Sequence, residues 1–396
     1  MSIIIVSGAL ANKLHNGGEA WVRLSWATGL RRLGHDVYFV EQIAAKTCVD
    51  KSGAPAAFEQ SANLAYFRGV MGRFGFAGRS ALLLGNGEAC EGMDWPRLLD
   101  VAASADVLVN ISGHLSVEPV MRRVARRAYV DIDPGFTQFW HADPAGGFRL
   151  DGHDFYFTIG ENIGSADCSI PTGGIRWLSV RQPVVLDDWP VTAAPPDPAR
   201  FTTVASWRGP FGPMQFGGRS YGLKVHEFRK CLALPAIAAS RCAAAGAPAP
   251  RFEIALDIHP GDAKDRAALR DNGWHVTDPR ALAADPDQFR RFVQGSGAEF
   301  SVAQGIYVDT HSGWFSDRTA RYLASGRPAL VQETGFSRHL PSGTGLVAFS
   351  SPEEAANGAA RVLADYDHHA RAARTIAAEF FDSDRVLARF LRDVGM

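Results

Sequence analysis

Short apolar runs, each followed by polar and then amphipathic residues, recur along most of the chain. Ile3 to Val6 is the first such run, and Val37 to Val40 is the next. A continuous apolar run of this length is typical of a strand buried on both faces of a parallel sheet. Between the two runs, Ala20 and Leu24 have helical spacing and Gly34 ends the segment. This pattern predicts a β-α-β unit.

The same alternation continues through the chain and falls into two series. Further strands are predicted at residues 81–84, 106–111, 128–132, 155–159, 201–206, 252–256, 274–277 and 329–331. Residues 186–200 are rich in proline and alanine and have no periodicity, so the domain boundary is expected there. The predicted fold class is α/β with two Rossmann-like domains, residues 1–185 and 201–375. Residues 376–396 are expected to form a C-terminal helix that packs back on the first domain.

Composition limits the expected partners. The 396 residues include 41 Lys and Arg against 42 Asp and Glu, a net charge of −1. Without a basic excess, no nucleic-acid partner is expected. The five cysteines contain no Cys-x-x-Cys pair, which disfavours a disulfide framework or a metal site and favours a cytoplasmic protein. No uncharged apolar run approaches the ~20 residues that cross a bilayer, so no transmembrane segment is expected.

Residues 301–335 predict an anion site. They are expected to run as strand, polar turn, helix, short loop and strand. Ser316 is a suitable N-cap for the helix, Gly326 suits its end, and Pro328 prevents its continuation. Free N–H groups and the positive dipole end at a helix N-terminus favour binding of phosphate.

The turn at residues 311–316 (HSGWFS) resembles the donor-binding turn His-Cys-Gly-Trp-Asn-Ser of plant-type glycosyltransferases. In that family the histidine and the Gly-x-Ser segment hold the diphosphate of a sugar nucleotide. The resemblance therefore implies a donor diphosphate site at His311, Ser312, Gly313 and Ser316.

The second half of the chain also resembles the bacterial group-one glycosyltransferases. Arg219 and Lys224 have the spacing of a Gly-Arg-x4-Lys segment that opens the second domain in that family. Cations at this place would stabilise the diphosphate leaving group. Asp309 and Asp317 have the spacing of the family's Glu-x7-Glu pair, which implies a donor-sugar contact at Asp317. Arg208 is a rival for the arginine role, and solvated surface cations are the alternative for all three basic residues.

Two further pairs are expected near the donor sugar or ribose. Gly17 and Gly18 are similar to a glycine pair in the first loop of retaining glycosyltransferases, where bare backbone can approach a ligand. Plant-type enzymes place an acid and a glutamine after the strand that follows the donor turn. This implies sugar-hydroxyl contacts at Glu333 and Thr334. Ordinary loop residues are the alternative for both pairs.

An inverting transfer needs a base that deprotonates the acceptor hydroxyl. His15, His114 and Asp133 follow predicted strands and are the catalytic candidates. For each of them a purely structural role is the alternative. A retaining transfer needs no such base, and the sequence leaves the stereochemistry open.

Together these resemblances imply a GT-B fold, in which two Rossmann-like domains face each other across a cleft. They imply a glycosyltransferase that moves a hexosyl group from a nucleoside-diphosphate sugar, with a UDP-sugar favoured, to a hydroxyl of a small-molecule or glycan acceptor. The acceptor is expected in the first domain and the donor in the second. No metal and no cofactor besides the sugar-nucleotide co-substrate are expected. The alternatives are a nucleotide-sugar 2-epimerase and a non-catalytic nucleotide-sugar-binding protein.

Overall fold

The computed structural model describes residues 1–143, 150–192, 195–209 and 211–396. The described strands of the first domain are β1 (Ile3–Ser7), β2 (Asp36–Ile43), β3 (Ser80–Leu84), β4 (Ala89–Gly92), β5 (Val107–Ile111), β6 (Arg127–Asp131), β7 (Phe155–Thr158) and β8 (Trp177–Ser179). They form one sheet in the order β4-β3-β2-β1-β5-β6-β7-β8. The β3–β4 pair is antiparallel and the other neighbours are parallel.

Helices cover both faces of this sheet. They are α1 (Gly17–Arg32), α2 (Ala62–Arg73), α3 (Trp95–Ser104), α4 (Glu118–Met121) and α5 (Phe136–Ala142). The side chain of Asn16 accepts the Glu19 N–H at 3.1 Å and so caps α1. Gly17 and Gly18 are therefore the first residues of a helix rather than the end of a loop.

The second domain has a parallel sheet of its own. Its described strands are β9 (Arg200–Ser206), β10 (Met214–Phe216), β11 (Arg219–Tyr221), β12 (Arg251–Asp257), β13 (His275–Thr277), β14 (Ala298–Ser301), β15 (Ala329–Gln332) and β16 (Leu346–Phe349). The sheet order is β13-β12-β9-β14-β15-β16, while β10 and β11 pair separately as a hairpin. Its helices are α6 (Lys224–Lys230), α7 (Leu234–Ala244), α8 (Ala263–Asp271), α9 (Pro279–Leu282), α10 (Pro286–Gln294), α11 (Gly305–Asp309), α12 (Asp317–Ala324), α13 (Pro352–Ala364) and α14 (Tyr366–Phe380).

The last helix, α15 (Ser383–Asp393), packs against α1 of the first domain. The ring of Phe390 lies 5.1 Å from that of Trp26, centroid to centroid. The chain thus passes between the domains after β8 and again after α14. The two passages lie side by side, because Val184 N–H donates to the Phe381 carbonyl at 2.8 Å and Ser383 N–H donates to the Val184 carbonyl at 2.9 Å.

The predicted α/β fold class with two facing Rossmann-like domains is confirmed by this architecture. Two local predictions are corrected. The glycine-rich segment before Gly222 contains the β10–β11 hairpin, and the short helix α11 separates β14 from the polar turn. Among the described helices, none is long and apolar enough to cross a membrane.

Candidate active site

A cavity of about 410 Å³ lies in the cleft between the two domains. Its lining comes from loops at the carboxyl ends of strands in both sheets, which is where doubly wound sheets place their ligands. We call the lining from residues 1–185 the first-domain wall and the lining from residues 201–375 the second-domain wall.

Lys224 and the start of α12 meet on the second-domain wall. The backbone N–H of Lys224 donates to Oε1 of Gln304 at 2.6 Å, which fixes the start of α6. Its ammonium group has no hydrogen bond or ion pair within the described part of the chain. Burial, followed by the nearby charge of Arg318, lowers the pKa of Lys224 to about 7. Ser316 accepts the Arg318 N–H at 3.2 Å as the N-cap of α12, so a cation and a helix N-terminus face the same space.

Arg318 is a fixed part of the same wall. Its Nε donates to Oε1 of the fully buried Glu299 at 2.6 Å. Its two terminal nitrogens donate to the Val204 carbonyl and to the Ser301 hydroxyl, both at 2.8 Å. Because each of the three nitrogens already donates a hydrogen bond and Glu299 compensates the charge, Arg318 is less able than Lys224 to bind an anion.

Asp133 projects from the first-domain wall after β6. The hydroxyl of Tyr307, from the other domain, donates to Oδ1 of Asp133 at 3.2 Å. Burial, followed by the charges of Glu19 and Asp131, raises the pKa of Asp133 to about 6. A carboxylate that titrates so close to neutral pH is suited to accept a proton.

Asp131, at the end of β6, fixes the loop that carries Asp133 through hydrogen bonds. It is fully buried and accepts hydrogen bonds from the side chains of Thr137 at 2.8 Å, Gln138 at 2.8 Å and Thr158 at 2.7 Å. It also accepts the backbone N–H of Asp133 at 3.0 Å. The buried network therefore fixes where the carboxylate of Asp133 stands.

The structure brings some of the predicted residues together and not others. Those that line the cavity are His15, Gly18, Asp133, Lys224, Ser316 and Asp317. Those outside its described lining are Gly17, His114, Arg219, His311, Ser312, Gly313, Glu333 and Thr334.

The first half of the predicted phosphate turn is used for internal bonds and for contact with the first domain. The hydroxyl of Ser312 donates to a backbone carbonyl of α11 at 3.2 Å, and the N–H of Gly313 donates to the Thr334 carbonyl at 2.8 Å. The side-chain amide of Asn162 donates to the carbonyl of His311 at 2.9 Å. The imidazole of His311 is exposed outside the cavity.

Glu333 and Thr334 likewise stabilise loops. The carboxylate of Glu333 accepts the N–H of Gly335 at 2.6 Å, and the hydroxyl of Thr334 donates to the carbonyl of Trp314 at 2.5 Å. Arg219 lies exposed on the β10–β11 hairpin with its guanidinium 5.6 Å from the ring centroid of Tyr221. These three side chains contact neighbouring residues and do not line the cavity.

Gly17 and His114 lie behind the first-domain wall. The N–H of Gly17 donates to the carbonyl of Ala283 at 2.8 Å and so joins α1 to the second domain. Burial, followed by the charges of Arg23 and Lys13, lowers the pKa of His114 to about 4. Its imidazole is therefore neutral at physiological pH.

Sequence reasoning missed most of the lining residues, among them Gln182, Tyr307 and Trp314. The side chain of Gln182 is buried, with the whole residue 5% exposed, and its amide has no hydrogen bond within the described residues. Tyr307 and Trp314 stack with ring centroids 4.7 Å apart and planes at 26°. Trp314 stands inside the turn motif and could have been chosen. Gln182 follows the irregular β8 and carries no motif that would have identified it.

No protein-family model matches the chain, and no curated protein matches it. Solved structures do resemble it. An alpha-glucosyltransferase in complex with UDP-glucose and DNA containing an abasic site has 10% identity and a TM-score of 0.56, covering 100% of this chain and 99% of that one. HepE from Anabaena in complex with UDP and glucose has 12% identity and a TM-score of 0.54, covering 99% and 100%. Sucrose-phosphate synthase from Thermosynechococcus elongatus has 9% identity and a TM-score of 0.51, covering 100% and 99%.

The expectation that nucleic acid is excluded as a partner is wrong. Complexes of the alpha-glucosyltransferase contain DNA with an abasic site, with a central A:G mismatch or with a HMU base. A near-neutral net charge therefore does not exclude DNA for a chain of this fold.

Both domains take part in these similarities, because coverage is 99% or more of each chain in every pair. At 9–12% identity, such similarity establishes the fold and leaves the substrate open. The chain has the GT-B fold of these glycosyltransferases, with two Rossmann-like domains that face each other across a cleft.

Proposed function

We propose that the chain is a glycosyltransferase that moves a hexosyl group from a nucleoside-diphosphate sugar to a hydroxyl group. The observation that carries this proposal is the unpartnered ammonium of Lys224 beside the N-terminus of α12 in the interdomain cavity. A cation beside a helix N-terminus binds anions, and the diphosphate of a sugar nucleotide is such an anion. UDP is the favoured nucleotide, since HepE and the alpha-glucosyltransferase, which share the fold, are seen with UDP.

Lys224 and the Ser316-capped start of α12 act on the leaving group. As the bond between the sugar and the diphosphate breaks, negative charge grows on the diphosphate oxygens. A fixed cation and fixed N–H donors stabilise that charge without reorganising, and loss of one such donor typically slows the reaction about 100- to 1,000-fold. Asp257 and Arg280 extend the same wall beyond Lys224 and offer polar groups to the nucleoside.

Asp133 acts on the acceptor. In an inverting transfer it accepts the proton of the attacking hydroxyl, for which its pKa of about 6 is suited. In a retaining transfer it holds that hydroxyl by a hydrogen bond. His15 lines the same wall and is the second candidate for this role.

Titration of UDP tests the donor site. Lys224→Ala should weaken UDP binding about 10- to 100-fold, the value of a hydrogen bond to a charged group. Lys264→Ala is the matched control, because Lys264 is an exposed lysine of α8 outside the cavity. Equal affinities in the wild type and in Lys224→Ala would remove the donor site.

Product analysis then separates the candidate functions. UDP-glucose and its 2-epimer are supplied with small sugars, a glycan and a 13-mer DNA duplex carrying a HMU base, because DNA of that kind is bound by a protein of the same fold. A glycosylated product supports the proposal and identifies the acceptor class. Interconversion of the two donors without transfer would assign an epimerase, and UDP binding without any turnover would assign a binding protein.

A further inference from the structure

The two walls of the cavity differ in the charges they carry. Within the described lining, the lysine and arginine residues all belong to the second-domain wall and are Lys224, Arg280 and Arg318. That wall also carries the carboxylates of Asp257 and Asp317, whereas the first-domain wall carries those of Glu19 and Asp133. The lysine and arginine side chains that could bind the anionic part of the donor therefore all lie on one side of the cavity.

The two carboxylates of the first-domain wall differ in whether a neighbouring cation forms an ion pair with them. Glu19 forms an ion pair with Arg23 one helical turn further along α1. Asp133 has no ion pair in the described part of the chain, and its side-chain partner there is the neutral hydroxyl of Tyr307. The charge of Lys13 acts on Asp133 from outside the lining. A second anion beside Asp133 would thus meet a like charge that no described ion pair neutralises, in a partly buried place.

The first-domain wall also carries polar groups without a carboxylate, which are His15, Asn16 and Gln182. Gln182 is buried, and its side-chain amide has no partner among the described residues, although it lines the cavity. The amide reaches the cavity, where a ligand can replace water as its hydrogen-bond partner. Together with the stacked pair of Tyr307 and Trp314, it offers a donor, an acceptor and an aromatic surface to a ligand.

From these observations we infer that the acceptor enters as a neutral, hydroxyl-bearing group, with no phosphate or carboxylate beside the reacting hydroxyl. The inference rests on the proposed function and specifies its acceptor. For the inverting case, the acceptor oxygen bonds to the anomeric carbon, and the bond from that carbon to the diphosphate oxygen breaks with its electron pair on UDP. The hydroxyl proton passes to Asp133. Gln182 holds a second polar group of the acceptor.

Two sources present such a hydroxyl, a neutral sugar ring and a hydroxymethylated base of DNA. The test measures transfer from UDP-glucose to matched pairs, each a neutral sugar and the same sugar carrying a phosphate, and to the HMU-containing duplex. Release of glucose into water without acceptor is the baseline. The neutral member of each pair should be used at least about tenfold faster, because the phosphate would lie beside Asp133.

Substitution of Gln182 tests whether this wall sets the preference. Gln182→Lys adds a cation and should raise the rate ratio of phosphorylated to neutral sugar by about tenfold or more. Gln182→Met, of similar length and without charge, should leave that ratio unchanged. UDP affinity, which depends on the other wall, reports whether each variant is folded.

Faster transfer to a neutral sugar, or to the hydroxymethylated duplex, supports the inference and names the source. Equal or faster use of the phosphorylated sugars overturns it, as does a panel in which no neutral hydroxyl raises turnover above the baseline. In either of those cases, donor turnover in water would leave the proposed function intact. Absence of both UDP binding and donor turnover would overturn the proposed function as well.

Discussion

Two helices begin at the cavity, α1 from the first domain and α12 from the second, and their starts are built alike. Each follows a histidine in the left-handed conformation, His15 with φ of 60° and His311 with φ of 50°. Each has a side-chain N-cap, Asn16 or Ser316. Each also carries an acid in its first turn that pairs with an arginine four residues later.

What packs against the two starts makes them different. The first N–H of α1, from Gly17, already donates to the Ala283 carbonyl of the second domain. The start of α12 faces the cavity, with the ammonium of Lys224 on the same wall. Only α12 therefore combines an open helix N-terminus with an available cation. The comparison teaches that a helix start becomes an anion site through its surroundings rather than through its own sequence.

The largest effect is expected at the first-domain wall, whose described lining includes no lysine or arginine. Asp133→Asn should lower kcat about 100- to 10,000-fold if Asp133 is the base, because the amide cannot accept the proton. UDP affinity should be unchanged, since the donor binds the other wall. His114→Ala is the comparison variant, and its smaller loss of kcat would exclude His114 as the base. Steady-state kinetics and UDP titration measure both, and an equal loss in the two variants would contradict the assignment.

The start of α1 is packed against the second domain, and substitution of its two glycines tests that packing. A Cβ on Gly17 would lie 2.1 Å from the backbone oxygen of Asp285, whereas one on Gly18 would lie 3.2 Å from the ring of Phe289. Gly17→Ala should lower the free energy of unfolding by about 1–3 kcal/mol, because the contact is between two backbones. Gly18→Ala should change it by less than ~1 kcal/mol, since a ring can shift. Urea denaturation measures both, and equal stabilities would show that α1 is not held closed at Gly17.

The pH dependence of UDP affinity tests whether Lys224 and the start of α12 bind the diphosphate. Burial lowers the pKa of Lys224 to about 7, and only its protonated form attracts the diphosphate. UDP affinity should therefore be highest below about pH 7 and fall by up to about tenfold per pH unit above it. The terminal phosphate of UDP has a second pKa of about 6, so it is largely ionised above about pH 7 and contributes little to the decline there. Lys224→Arg keeps its charge and should show a flat profile by calorimetry; the same decline in both proteins would exclude Lys224 as the titrating group.

The smallest effect is expected on substitution of the two histidines that precede these helices, His15 and His311. His15 immediately precedes its N-cap and lines the cavity, whereas His311 lies five residues before Ser316 and is exposed outside it. His15→Ala should lower kcat/KM about tenfold through loss of a substrate contact. His311→Ala should change it by less than about twofold, as at an ordinary surface position. A loss in His311→Ala as large as in His15→Ala would restore the diphosphate role that the motif resemblance implies.

Much of the fold could be predicted because buried parallel strands have a simple pattern. The apolar run at Ile3 to Val6 became β1, and residues 329–331 became β15, each within one residue. The five-residue helix α11 escaped prediction because its apolar Ile306 and Tyr307 continue the pattern of the preceding strand. The β10–β11 hairpin escaped because Gly217 and Gly218 suggested a loop, although both have positive φ and form its two-residue turn.

The candidate site could be predicted only in part. Ser316 and Asp133 were accessible because caps and strand ends are visible in the sequence, and Lys224 was accessible through the resemblance to the Gly-Arg-x4-Lys segment. The amide of Gln182 was not, since its lack of a partner depends on every residue packed around it. Arg219 shows the reverse case, because its spacing matches the family segment but the hairpin places it beside Tyr221 and outside the described lining of the cavity.

The paired passages between the domains determine how the cleft can move. At Val184 the outgoing and returning segments are hydrogen-bonded to each other, so they form one axis instead of two independent tethers. Sliding one domain past the other would break those bonds, while rotation about the axis preserves them. Rotation that opens the cleft would instead break contacts that cross it, among them the hydrogen bond from the Tyr307 hydroxyl to Asp133. That bond therefore ties the closed arrangement of the domains to the candidate base itself.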